Sequence, residues 1–186
     1  MTVNISFGID QFYIPMMGIL MTSLIKNNPT QRFSFHVFLD NADDTDCEKL
    51  NALCQMSSAG AQVTLYFLDT ELFKNFYFTQ EYSIAIFYRV IAGDFLSDKL
   101  DELLENAPKE NLLSAVEDYG ELLCYHVKNN LNLPAEYRYF NTGLLYLNLK
   151  FWSEANITEQ ALKLLSCNKY RLPDQDALNT VVCRNG

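Results

Sequence analysis

The sequence predicts an α/β fold with a mostly parallel central sheet, and three observations carry that expectation. Apolar residues alternate at period two in three short segments near the N-terminus, and they recur at helical spacing in the two segments between them. Strands joined in sequence by helices form right-handed βαβ units, which build a parallel sheet covered on both faces. At 186 residues and 49% hydrophobic content, the chain can bury a sizeable core, most simply as one domain over 1–186.

Val3, Ile5, Phe7 and Ile9 alternate with Asn4, Ser6 and Gly8 as a first strand. Ile14 to Asn27 carries Met17, Leu20, Met21, Leu24 and Ile25 at helical spacing, and Asn27-Asn28-Pro29 stops it. Phe33, Phe35, Val37 and Leu39 alternate through a second strand. Thr45-x-x-Glu48 reads as a capping box for a helix with Leu50, Leu53 and Cys54 on one face, ending near Gly60. Val63 to Leu68 is a third strand. Ser83 to Phe95 and Leu100 to Glu105 read as helices, and Leu112 to Val116 as a short strand. Tyr119 to Leu131 is helical, Leu144 to Leu149 is a buried strand, and helices follow near Ile157–Leu165 and Asp174–Val182.

Bulk properties exclude several classes. A net charge of −9 opposes a nucleic-acid partner and weakens attraction to anionic lipid. No apolar run approaches bilayer length, and Met1-Thr2-Val3-Asn4-Ile5 lacks the basic start of a secretory leader. No transmembrane segment and a cytoplasmic location are therefore expected. Cys47, Cys54, Cys124, Cys167 and Cys183 are odd in number and form no Cys-x-x-Cys, which favours reduced thiols over a disulfide framework or zinc site. Neither Gly-x-Gly-x-x-Gly nor Gly-x-x-x-x-Gly-Lys-Ser/Thr occurs, so there is no dinucleotide fingerprint and no P-loop.

Ligands on open α/β sheets sit outside the C-terminal ends of the strands. That rule directs attention to Gly8–Tyr13, Asp40–Asp44, Asp69–Glu71, Asp118 and Asn148–Trp152. Asp10, after Gly8-Ile9, can accept from a base or ribose while Tyr13 stacks; an ordinary turn Asp with a surface Tyr has the same spacing. Arg89 lies among Ile84, Ile86, Phe87 and Ile91, where a guanidinium needs a carboxylate or a diphosphate. Asp118 is either a strand-end site residue or a helix N-cap. Asn141-Thr142-Gly143 offers an amide for sugar hydroxyls and a glycine for close approach, or simply a turn into a strand. Asp174, following Pro173, serves as an N-cap whatever the function, whereas capping does not require Gln175. His36 and His126 lack metal-ligand neighbours at a recognised spacing and read as surface or satisfied residues.

Taken together, Asn4-Ile5-x-Phe7-Gly8-Ile9-Asp10-x-x-Tyr13, Tyr88-Arg89-Val90, Val116-Glu117-Asp118, Tyr139-Phe140-Asn141-Thr142-Gly143 and Asp174-Gln175-Asp176-Ala177-Leu178-Asn179 resemble glycosyltransferase family 8. The bacterial branch making lipopolysaccharide outer core looks closest. The resemblance implies a GT-A nucleotide-sugar fold, a UDP-glucose or UDP-galactose donor, and a saccharide acceptor such as lipopolysaccharide core. It also implies retention of anomeric configuration and a cytoplasmic site of action with peripheral membrane contact. By position, it assigns catalysis to Gln175 and Asp118. Donor binding falls to Gly8, Ile9, Asp10, Tyr13, Arg89, Asn141, Thr142 and Asp174, with Asp10 and Tyr13 at the uridine and Arg89 at the diphosphate or sugar. Gln175 matches the family's amide beside the anomeric carbon. An amide is a poor nucleophile, so front-face transfer through an oxocarbenium-like state fits better than a covalent intermediate.

The family's Mn²⁺ is held by an Asp-x-Asp on a strand after the helix that matches Ser83–Leu96. Here Ser97-Asp98-Lys99 passes directly to Leu100-Asp101-Glu102, and no Asp-x-Asp stands at that place. Asp98, Asp101 and Glu102 read as a solvated helix start, so metal ligands are expected to be missing. Losing a central parallel strand would break the sheet ladder. The sequence is therefore expected to be an incomplete copy, with a break near 99–101 and the family's late His-x-x-Gly-x-x-Lys-Pro region beyond 186. If the deletion is real, the alternative is an inactive nucleotide-sugar-binding module.

Overall fold

A computed structural model describes residues 2–78, 82–97, 112–118, 120, 125–127, 129–134 and 136–185. The chain divides into two compact units, Met1–Lys74 with Gln80–Ala92, and Asn75–Thr79 with Gly93–Gly186.

The first unit holds a three-stranded parallel sheet in the order β1 (Thr2–Gly8), β2 (Arg32–Leu39), β3 (Ala61–Phe67). Val3 pairs with Phe33 and Phe33 with Ala61, so the register runs unbroken across the sheet. Helix α1 (Ile14–Asn27) connects β1 to β2, and α2 (Asp44–Gln55) connects β2 to β3. Ile14, Met17, Met21 and Ile25 of α1, with Leu50 and Cys54 of α2, pack on Phe33, Phe35, Val37 and Leu39 of β2. Phe35, Val37 and Leu39 are fully buried, which contributes about 1.5–3 kcal/mol each. The other face of β2 is closed by polar partners. His36 bonds Tyr66 Oη at 3.0 Å and Asn4 Oδ1 at 3.2 Å, so it is a buried, satisfied histidine.

Three expectations need correction in this unit. The cap of α2 is Asp43, which accepts from Asp46 N at 2.7 Å; Thr45 lies inside the helix and no capping box forms around it. Asp43 is already extended and carries a carboxylate, so it captures the first orphan N–H before Thr45 can. The helix ends at Gln55, and Gly60 instead makes the turn into β3 at φ 91°. Leu20 faces outward, because the core stripe of α1 runs through Met17, Met21 and Ile25.

The helix expected over Ser83–Phe95 starts as a 3-10 turn, Ile84–Phe87, capped by Ser83, and continues as α3 (Tyr88–Ser97). The helix expected at Leu100–Glu105 lies outside the described residues.

In the second unit, β4 (Leu113–Glu117) pairs antiparallel with β5 (Phe140–Leu147), with an irregularity between Ala115 and Glu117. Residues 125–127 and 129 are helical, short of the Leu131 expected. Helix α4 (Leu149–Glu154) was not expected; Asn148 caps it through Phe151 N at 3.3 Å. Helices α5 (Ile157–Cys167) and α6 (Pro173–Asn185) pack on each other, and α6 packs on β5. Trp152 is fully enclosed and donates to Thr158 Oγ1 at 2.9 Å. Among the described residues Cys47, Cys54, Cys167 and Cys183 are free thiols.

β5 begins earlier than expected and is not a buried strand. Phe140 and Thr142 are buried, but Leu144 and Tyr146 on the same face are 76% and 52% exposed. The first turns of α6 hold the strand only over Phe140–Thr142.

Two glycines in helix interiors separate packing from propensity. A Cβ at Gly18 meets only Leu53 Cδ1 at 3.7 Å, whereas a Cβ at Gly93 falls within 2.6 Å of Trp152 Cδ1 and Cε2. Gly18→Ala is expected to stabilise the chain by about 0.5–1 kcal/mol. Gly93→Ala is expected to destabilise it by about 1–3 kcal/mol through overpacking. Urea unfolding of the two variants checks the opposite signs.

Candidate active site

Helix α6 opens with Pro173 at a position where a missing N–H costs nothing, and its first turn carries Asp174, Gln175 and Asp176. These side chains, with Asn179 one turn later, meet the start of β5. Asn179 Oδ1 accepts from Phe140 N at 2.8 Å, while its Nδ2 donates to Phe140 O at 2.8 Å and Gln175 O at 2.9 Å. The carboxamide thus pairs both backbone groups of Phe140, as a neighbouring strand would. Thr142 N donates to Gln175 Oε1 at 3.2 Å, and Thr142 Oγ1 donates to Asp174 Oδ2 at 2.8 Å.

Gln175 Nε2 donates to Asp118 Oδ2 at 3.0 Å, and Asn141 Nδ2 reaches the same oxygen at 3.5 Å. Asn141 Oδ1 accepts from Gly143 N at 2.7 Å, and a Cβ on Gly143 would stand 2.8 Å from that oxygen. Glycine at this position is what lets the Asn141 amide fold back over the strand. The structure therefore brings Asp118, Asn141, Thr142, Asp174 and Gln175 into one hydrogen-bonded cluster.

The Asp118 carboxylate is engaged by Gln175 and Asn141, and its N–H extends the β4–β5 ladder to Tyr139 O at 2.9 Å; residues 119 and 121–124, which a cap at Asp118 would open, lie outside the described residues. Asp174 lies inside α6, after Pro173, and turns its carboxylate to Thr142 instead of capping the helix. Both acidic residues of this first turn lie near the positive end of the helix dipole. Carboxylate and carboxamide groups side by side, one partly exposed and one held at both ends, suit recognition of vicinal hydroxyls.

The other five candidates lie in the first unit, at the C-terminal end of β1 and the start of α3. Ile9 N donates to Phe38 O at 3.0 Å, the last sheet bond before the chain turns. Asp10 caps the 3-10 turn Gln11–Tyr13 through Phe12 N at 3.0 Å, so the turn role is filled by the residue expected at the uridine. Tyr13 is 59% exposed, open to stacking. Gly8 has a packing reason: a Cβ there would meet Tyr88 Cβ at 3.1 Å and Arg89 N at 3.3 Å. Its absence brings the start of α3, with Arg89, against the end of β1.

Beside it, the Tyr88 hydroxyl is enclosed and has no hydrogen-bond partner among the described residues. Burial, reinforced by the charges of Asp40 and Asp10, pushes it up to about 12.

Sequence reasoning missed Asn179, Asp176, Tyr139 and His126 as members of the second-unit network. Asn179 lies four residues after Gln175, on the same helix face, and is fully buried. A buried Asn one turn from a candidate glutamine was the available signal. Among the described residues no three His, Cys, Asp or Glu side chains gather as metal ligands, and Asp98, Asp101 and Glu102 lie outside the described residues.

Two variants test these contacts. Asn179→Ala leaves both Phe140 backbone groups unpaired in a buried setting, an expected loss of about 2–4 kcal/mol in unfolding free energy. Tyr88→Phe removes an unpartnered hydroxyl and is expected to raise stability by about 1 kcal/mol at neutral pH; a lower melting temperature would contradict it. The folded Tyr88 titrates near 12, above an unfolded tyrosine at about 10, so its contribution is intact below the unfolded value and is lost as pH rises through the folded one. Tyr88→Phe is therefore expected to show a smaller loss of stability across that alkaline window than the parent chain.

A sequence model of the family described as Glycosyl transferase family 8 matches residues 4–185. A lipopolysaccharide 1,3-galactosyltransferase of Salmonella typhimurium is 29% identical over 199 aligned positions, covering 95% of this chain and 58% of its own length. A lipopolysaccharide 1,2-glucosyltransferase of Escherichia coli is 29% identical, covering 96% of this chain and 58% of its own length. The chain thus spans 58% of the length of these relatives. The 199 aligned positions also exceed the chain's 186 residues, so the Salmonella protein has residues between matched segments that this chain lacks. The crystal structure of an active-site mutant of LgtC superposes with a TM-score of 0.75 at 20% identity, covering 97% of this chain and 70% of that one, and carries the expected GT-A-type α/β fold. Matched to the family model over nearly its whole length, the chain belongs to glycosyltransferase family 8.

Proposed function

We propose that this chain provides the donor site of a retaining hexosyltransferase that moves glucose or galactose from a UDP-sugar to a saccharide acceptor, lipopolysaccharide core above all. The observation carrying this reading is the Asp118–Gln175–Thr142 chain of hydrogen bonds, with Asn141 and Asp174 beside it, in a member of family 8. Curated relatives named as lipopolysaccharide galactosyl- and glucosyltransferases support the substrate class. In this reading Gln175 and Asp118 serve catalysis, and Asn141, Thr142 and Asp174 hold the sugar. Gly8, Ile9, Asp10, Tyr13 and Arg89 receive the uridine and diphosphate. Residues 1–186 act as one glycosyltransferase domain, with the residues absent relative to the relatives falling near 99–101.

Asp118 and Thr142 hold the Gln175 carboxamide at its two ends, so its orientation is set before a donor arrives. Pre-set dipoles stabilise developing charge without reorganisation, which is what an oxocarbenium-like transition state requires of a neutral amide. A divalent metal, Mn²⁺ in the family, belongs to this reading. A cytoplasmic location with peripheral membrane contact completes the proposal; among the described residues no helix is long and apolar enough to cross a membrane.

UDP titration with and without Mn²⁺, followed by hexose transfer from UDP-glucose and UDP-galactose, tests the reading. Metal-dependent tightening with transfer is the expected result. Metal-indifferent binding without transfer would identify an inactive nucleotide-sugar module, and no UDP binding in either condition would overturn both. Gln175→Ala is expected to lower transfer by about 100-fold while leaving UDP affinity nearly unchanged. Equal losses would move Gln175 from catalysis to donor binding.

A further inference from the structure

Asp176 follows Gln175 directly, yet its side chain is fully buried and reaches no solvent. Its carboxylate is saturated from three directions. Oδ1 accepts from Tyr139 Oη at 2.5 Å and from His126 Nε2 at 3.0 Å, and Oδ2 accepts from His126 Nε2 and Leu172 N, each at 3.0 Å. A carboxylate only accepts, so the proton of the imidazole sits on Nε2. The other ring nitrogen agrees: Asn130 Nδ2 donates to His126 Nδ1 at 2.9 Å. His126 itself is 4% exposed, so both partners of the contact are enclosed.

Two of the three donors to Asp176 come from element boundaries. Leu172 is the last residue before Pro173 opens α6, and Tyr139 is the last residue before Phe140 opens β5. One carboxylate therefore ties together the entry points of the helix and the strand that carry Gln175 and Thr142. Burial first, and then the Asp176 charge, hold the Tyr139 hydroxyl far above the usual tyrosine range.

We propose that His126 is a positioning residue: by fixing the Asp176 carboxylate, it sets the alignment of α6 on β5 and so the orientation of the Gln175 amide. Both side chains are enclosed, and both act through the Thr142–Gln175–Asp118 chain. The kinetic consequence rests on the hexosyltransferase reading above, whereas the structural consequence does not.

The test compares His126→Ala with His126→Gln, whose amide N–H can still donate to Asp176. Hydrogen exchange is read at the Thr142 amide, which bonds Gln175, and at the Val37 amide in β2 of the other unit. His126→Ala is expected to speed Thr142 exchange about 10-fold with Val37 unchanged, as for a local opening. It should lower kcat for hexose transfer about 10-fold with little change in KM for the UDP-sugar. His126→Gln should restore most of both. Equal acceleration at Thr142 and Val37 would show a purely global role and overturn the proposal, as would an unchanged Thr142. If His126→Ala yields no folded chain, Tyr139→Phe deletes the neighbouring donor while keeping the ring; unchanged Thr142 exchange in that variant also overturns the proposal. If the parent chain transfers no hexose, the functional reading fails, and the exchange rates still decide the role of His126.

Discussion

The side-chain hydrogen bonds between α6 and the start of β5 are the constraint on which the second unit depends. Asn179 satisfies both backbone groups of Phe140, Gln175 accepts from the Thr142 N–H, and Asp176 gathers donors from Tyr139, His126 and Leu172. Buried backbone groups must be paired, and a strand with a neighbour on each edge has that done by other strands. Here the amides and carboxylates of one helix do it. The same side chains that stabilise the junction present the Asp118–Gln175 pair. Stability and candidate chemistry therefore rest on one set of groups, and a substitution in it disturbs both.

The first unit is built on the opposite principle. Its parallel sheet is closed by backbone ladders and an apolar helix face, and the polar residues of β2 are absorbed by His36, Tyr66 and Asn4. Its candidate residues gather where β1 ends, as the strand-end rule requires. Gly8 matters there for the space that a missing Cβ leaves to Tyr88 and Arg89. Asp10 makes the turn with one carboxylate oxygen, which accepts from the Phe12 N–H.

The chain belongs to family 8 and spans 58% of the length of the curated relatives it matches. The aligned relative has internal residues this chain lacks, and no described residues assemble a metal site. Leu144 and Tyr146 run beyond the cover of α6 as exposed apolar groups, in a strand paired with β4.

Local chemistry made much of this legible in the sequence. Period-two alternation gave β1, β2 and β3, and the spacing of Met17, Met21 and Ile25 gave α1 with its stop at Asn27. The order of short motifs gave the family. Less local features were not readable. Thr45 lost the cap to Asp43 because two good cap residues stood close together and backbone conformation chose between them. Helix α4 escaped notice because its short span carries little periodicity, although Asn148 signalled its start.

The sequence by itself determined the α/β character, the family and the identity of the candidate side chains, because these depend on residue type and near-neighbour spacing. Only the tertiary structure decided which partners those side chains bond. His126 and Asp176 are 50 residues apart in the chain yet bonded at 3.0 Å, and Asp118 and Gln175 are 57 apart and bonded at the same distance. A hydrogen bond acts over ångströms of space, whatever the length of chain between its ends, so no spacing rule could assign Gln175 its two anchors or His126 its carboxylate.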